Sequence, residues 1–209
     1  MNETKRKRWS LWPVCMVLAI SGGAALADDG EGKTKEAIQV ADHHIFGSNV
    51  AVDGATLLIR DYKNREVRAS VMTGALEPDF AYSIWWVVFN NPQYCATPYA
   101  CTGGDLEING GDPHIKASVF YGGGMLADGT GHATTELTLV PGRTTRELFA
   151  MSKDYGLRNL RKAEIHLVIR SHGLAGIAGP VSMQIGTANQ ACPDAGCANV
   201  FASVHPSAD

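Results

Sequence analysis

The sequence predicts an all-β chain, an antiparallel β-sandwich of immunoglobulin-like or jelly-roll type with one short helix. Three observations carry that expectation. About eight short runs alternate apolar and polar residues with the period of two that turns one strand face to a core. Turn residues, chiefly Gly, Pro and Asn, separate these runs at the spacing of an all-β fold. Only one stretch, Arg146 to Tyr155, arranges its apolar residues as a helix would.

The chain opens on a targeting pattern. Lys5-Arg-Lys-Arg8 is a basic lead, Trp9 to Ile20 a short apolar run, and Ala25-Leu-Ala27 a small-residue cleavage site, so residues 1–27 read as a signal peptide. The apolar run is shorter than the roughly 20 residues a bilayer span needs. Export to a periplasmic or extracellular compartment is the expectation, with no membrane span in the mature chain. Residues 28–48 read as a flexible arm. Within them Asp42-His43-His44 is either a solvated pair of histidines or the start of a metal site. Residues 49–209 form a single domain, large enough for a substantial core.

The strands follow in order. Ala55 to Tyr62 and Glu66 to Thr73 alternate cleanly about Lys63-Asn64-Arg65 and predict a hairpin, with Asp53-Gly54 as a turn ahead of it. Phe80 to Asn90 is apolar on both faces, so it is expected to be central or to lie beneath a loop. Asn91 to Gly111 is a long Pro-, Gly- and Asn-containing loop, and long loops on rigid β scaffolds are where binding residues gather. Ile115 to Tyr121 predicts a strand, Gly122 to Gly124 a break, and Gly131 to Val140 the next strand. After the helical stretch, Lys162 to Gly173 is the longest alternation in the chain. Ile165, Leu167 and Ile169 take one face, while Glu164, His166, Val168, Arg170 and His172 take the other. Val181 to Gly186 and Ala198 to His205 are read as two closing strands.

Four cysteines remain beyond the signal segment, in two close pairs. Cys95 with Cys101 and Cys192 with Cys197 predict two local disulfides that pin loop shape. A four-thiolate zinc site is the rival, but its usual spacing fits only the second pair. Removing residues 1–27 leaves fourteen Lys and Arg against twenty Asp and Glu, a net charge of −6. An acidic surface repels phosphate backbones, so nucleic acid is not an expected partner. Arg158, Arg161 and Lys162 form the one basic cluster and read as a solvated lead into a strand.

Chemistry-bearing residues are sparse. No Gly-X-Ser-X-Gly is present, and disulfides would consume the mature thiols. The candidate binding residues are Tyr94 and Tyr99 in the clipped loop, with His166, Arg170 and His172 on the long strand. The alternative is a copper or zinc site using His166 and His172 with His114 or His132. An extended strand separates His166 from His172 by roughly 20 Å at ~3.3 Å per residue, so one ion could join them only across a bend.

Ala163-Glu-Ile-His166, followed by Gly173, Gly176 and Gly179-Pro-Val181, resembles the carboxy-terminal signature of the CHRD domain. There an Ala-X-Ile-His segment leads through a Gly-rich turn into Gly-Pro-Val and a final strand; here Leu167 to His172 lengthen the segment. Ile84-Trp-Trp-Val-Val-Phe-Asn-Asn-Pro92 combined with the long strand is similar to a set of uncharacterised exported bacterial β proteins. The resemblance implies an extracellular β module more than a chemistry. The functional expectation is an exported, non-enzymatic module without a cofactor, binding a protein, glycan or small molecule through its clipped and Gly-rich loops. The alternatives are the metalloprotein and a hydrolase whose acid–base pair has no sequence signature.

Overall fold

A computed structural model describes residues 36–142, 153–187 and 189–208. The signal segment and most of the expected helix, up to Ser152, lie outside the described residues; Lys153 to Tyr155 have no regular structure. The chain is all-β and antiparallel. Its strands are β1 Glu36–Ile45, β2 Ala51–Asp61, β3 Glu66–Thr73, β4 Phe80–Phe89, β5 Ala117–Leu126, β6 Ala133–Leu139, β7 Glu164–Leu174 and β8 Ala198–His205. Among the described residues one α-helix, α1 Val181–Gly186, precedes the last strand.

All eight strands are hydrogen-bonded into one sheet, in the order β5-β4-β7-β8-β1-β2-β3-β6. Its two edges, β5 and β6, are consecutive in the chain. Seven spacings of about 4.8 Å would hold the edges of a flat sheet roughly 34 Å apart, whereas the seven Cα steps from Leu126 to Ala133 reach no more than about 25 Å. The sheet therefore has to roll up, and it is nearly closed: Thr135 Oγ1 donates to Gly124 O across the seam at 3.4 Å.

Inside the roll lies the main core. Ile84, Trp86 and Val88 of β4 meet Ile165, Leu167 and Ile169 of β7, with Leu58, Val71, Phe120 and Leu137 from the other strands. The apolar outer face of β4 is covered as well. The loop between β4 and β5 folds back over it, and Trp85, Val87 and Phe89 pack with Cys95, Cys101, Ile115, Val119 and Val168 in a second cluster. Both tryptophans are thus buried, one in each cluster.

Four expectations are corrected. The segment read as a flexible arm carries β1, paired with β2 along its length and with β8 at His44 and Ile45. Asp53-Gly54 is not a turn before β2 but an irregularity inside it, where the register slips between Asp42 and His43. Gly54 is required there because it sits at φ +136° and a Cβ would come within 2.8 Å of His43 Nδ1. Gly122 to Gly124 do not break β5. They are glycine because the Trp86 ring, the Leu137 side chain and the Ile185 carbonyl press on them, and a Cβ would clash with each. Finally, Val181 to Gly186 is α1 rather than a strand. Its Gln184 is fully buried, donates to His172 O and Leu174 O, and accepts from Gly176 N, so one polar side chain fixes the Gly-rich turn.

Candidate functional site

The outer face of β7 carries Glu164 and His166, two residues apart and therefore on one side of the strand. Both fall beneath the long loop. His166 Nε2 lies 2.6 Å from Glu164 Oε1, and Cys101 N–H donates to the same oxygen at 2.9 Å. A carboxyl oxygen that already accepts from Cys101 accepts from the imidazole Nε2 too, which in the neutral ring leaves Nδ1 as an acceptor. Glu164 is wholly buried, and its Oε2 has no hydrogen-bond partner among the described residues. The His166 ring tilts against Phe89, centroids 5.0 Å apart.

The loop reaches this position through two devices. The Cys95–Cys101 disulfide forms as expected and is buried, so it holds Cys101 N–H over Glu164. Asp105 closes the other end of the loop, accepting from Ala96 N at 2.7 Å, Thr102 N at 2.7 Å and Thr102 Oγ1 at 3.0 Å. Burial alone would push the Asp105 carboxyl up, but these hydrogen bonds and the nearby His166 hold it below the usual carboxylate range.

Between loop and sheet is a pocket of about 130 Å³. Trp85, Val87 and Phe89 of β4, Val119 of β5 and Val168 of β7 line it, with Leu106 from the loop and Phe46 from the β1–β2 turn. His166 and Asn199 are its polar side chains. Substituting Cys95→Ser with Cys101→Ser is expected to lower stability by about 2 kcal/mol, the value for closing a loop this short. Urea unfolding measures it. Amide exchange at Cys101 should rise far more than exchange in β2 and β3, and a uniform rise would contradict the loop-clamping role.

The residues singled out in the sequence do not form one site. His166 lines the pocket, and Arg170 Nη1 donates to Asn199 Oδ1 at its edge, 2.8 Å away. Tyr94 and Tyr99 are half-exposed elsewhere: Tyr94 lies against His114, and Tyr99 beside Gln93, Lys162 and Ser207. The four histidines of the metal alternative are likewise apart. His114 is exposed and bonded to Asp112, and His132 is held in the β5–β6 turn by Asp128 and Thr130. Among the described residues, the one group of three metal-ligating side chains with all ligand atoms within 4.8 Å of one another is His172, Cys192 and Cys197.

His172 belongs to a second arrangement that sequence reasoning missed. Near the end of β7 its register with β4 slips by one residue. His172 Nε2 thereby comes to lie 2.8 Å from Ser83 Oγ, and Trp85 Nε1 donates to the same hydroxyl at 3.3 Å. A serine–imidazole pair is the geometry of a nucleophile and its base. Here both residues are fully buried, with Cys197 against the far side of the ring, so the hydroxyl is shut off from solvent in this structure. The signal was present in the parity of Ser83 with Trp85, but nothing in the sequence linked either to His172.

Comparison with protein-family models, curated proteins and solved structures finds no match for this chain.

Proposed function

We propose that the chain is an exported, non-enzymatic binding module. Its ligand is a small, largely apolar molecule, of the size of one ring, seated between the clipped loop and the outer face of β4 and β7. The pocket carries this reading: it is apolar, it is walled by rigid strands, and it presents one oriented imidazole as a polar anchor. Its volume is close to the ~150 Å³ of an apolar cavity that takes up benzene. Two disulfides support an oxidising compartment, and among the described residues no helix is long and apolar enough to cross a membrane.

A ligand with one donor on an apolar body, such as phenol or indole, fits His166 Nδ1 as acceptor. Titration of phenol, indole and cyclohexane, followed by Trp85 fluorescence and amide shifts, tests the reading. Phenol and indole should bind more tightly than cyclohexane, and Val168→Phe, which fills the pocket, should abolish all three. Shifts that ignore Val168→Phe would place the ligand elsewhere. Turnover of any bound compound that disappears in His166→Gln would overturn the non-enzymatic part.

A further inference from the structure

The two disulfides differ in their surroundings. Cys95–Cys101 is buried in the outer cluster, whereas Cys192 and Cys197 are only partly buried in the segment ahead of β8. The second pair also has an imidazole against it. His172 Nδ1 lies 3.2 Å from Cys197 Sγ and 3.0 Å from Gln190 O. A carbonyl can only accept, so Nδ1 carries the proton, and Ser83 donates to Nε2 from the other side.

We infer that Cys192–Cys197 is a redox latch over a binding site for a thiophilic cation, formed by Cys192 Sγ, Cys197 Sγ and His172 Nδ1. A dithiol reductant opens it by thiol–disulfide exchange. The reductant's thiolate attacks Cys192 Sγ and the Cys192–Cys197 bond breaks. Cys197 leaves as a thiolate facing the Nδ1–H of His172, which stabilises that leaving group. The reductant's second thiol then displaces Cys192 and departs as its own disulfide. Two electrons pass to the protein, and the two thiol protons of the reductant pass to the two cysteines.

Opening the latch leaves two thiols and one imidazole whose ligand atoms already lie within 4.8 Å. Two sulfurs and one nitrogen select soft cations over hard ones. Three donors suit Cu(I) directly, while zinc would need a water to reach four. On binding, both thiols lose their protons. The His172 proton moves from Nδ1 to Nε2, where Ser83 Oγ accepts it alongside Trp85 Nε1–H. Ser83 is thus a positioning residue that orients the imidazole, the outer-shell role such partners play at metal sites.

Graded dithiothreitol followed by alkylation and peptide mass mapping tests the latch on the whole chain. Cys192 and Cys197 should be alkylated at concentrations that leave Cys95 and Cys101 paired. Anaerobic titration with Cu(I), after removal of the reductant, tests the site: one equivalent should bind to the reduced protein and none to the oxidised one. Cys192→Ser with Cys197→Ser, a change at two partly buried positions, should remove binding, and Ser83→Ala should weaken it by about 10- to 100-fold. Equal opening of both disulfides would overturn the latch. A reduced protein that takes up no Cu(I), or a doubly substituted protein that still does, would overturn the site.

Discussion

Acidification from pH 7 to pH 4 is expected to remove on the order of 5 kcal/mol of stability, enough to unfold many domains of this size. The cause lies in a polar column inside the roll, where β1, β2 and β8 meet. His43 is buried with its Nε2 2.8 Å from Thr56 Oγ1, and Ser203 Oγ donates to the same threonine oxygen at 3.1 Å. His205 is fully buried, and neither of its ring nitrogens has a hydrogen-bond partner among the described residues. Burial lowers the His43 pKa to about 4, helped by His44 and opposed by Asp42. Burial, then the nearby Arg60, His166 and His43, lower that of His205 to about 3. The unfolded chain protonates both near 6.5, so it binds more protons than the folded chain over the whole interval below that value. The stability these neutral rings contribute is fully present above pH 6.5 and is lost as the pH falls towards 4 and then 3. Urea unfolding at pH 7.0 and pH 4.5 measures the loss. His205→Leu, which replaces a ring without partners by an apolar side chain, should narrow the difference between the two pH values by about half. An unchanged difference would show that the acid-sensitive group is elsewhere.

That same column explains what the sequence hid. Alternation finds a strand when apolar residues face the core, and it found β2, β3, β6 and β7 because they obey that rule, whereas β4, buried on both faces, stood out as an unbroken apolar run. β1 obeys its inverse. Ala37, Gln39, Ala41 and His43 face inward against Arg60, Leu58 and Thr56, while Ile38 and Val40 are 64 % and 68 % exposed on the outside. Arg60 and Gln39 are tolerated inside because they meet each other and the backbone: the buried Arg60 donates to Gln39 Oε1, Leu160 O and Pro206 O, tying β2 to both chain segments at that end of the roll. α1 was misread for a related reason. Val181, Met183 and Ile185 alternate as a strand would, but Gln184 is the residue that is buried, and its three hydrogen bonds hold the segment as a helical turn. The site was half legible. Glu164 and His166 share a strand face by simple parity, and the cysteine spacing marked the loop that covers them. Which loop residue would meet Glu164, and that Trp85, Val119 and Asn199 would complete a pocket, depended on pairings between distant strands that no local pattern encodes.

Glu164→Ala is expected to lower stability by about 3 kcal/mol and to abolish binding in the pocket, although the residue is not one of the apolar side chains that line it. At its carboxyl the disulfide loop, the sheet and the imidazole meet. Removing it leaves the Cys101 N–H buried without an acceptor, a loss of about 1–3 kcal/mol, and opens a cavity beneath the loop that adds to it. His166 then loses the partner that fixes its proton on Nε2 and its ring against Phe89, so the anchor offered to a ligand is no longer oriented. Glu164→Gln separates the hydrogen bonds from the charge. The amide oxygen can still accept from both Cys101 N–H and His166 Nε2, and the amide nitrogen takes the place of Oε2, which has no partner to lose among the described residues. Thermal or urea unfolding should therefore find Glu164→Gln within about 1 kcal/mol of the parent protein, with phenol affinity retained within a few-fold. If Glu164→Gln proves as damaging as Glu164→Ala, the carboxyl acts through its charge on His166 and not as a shared acceptor, and the pocket's anchor would have to be redescribed as an ion pair.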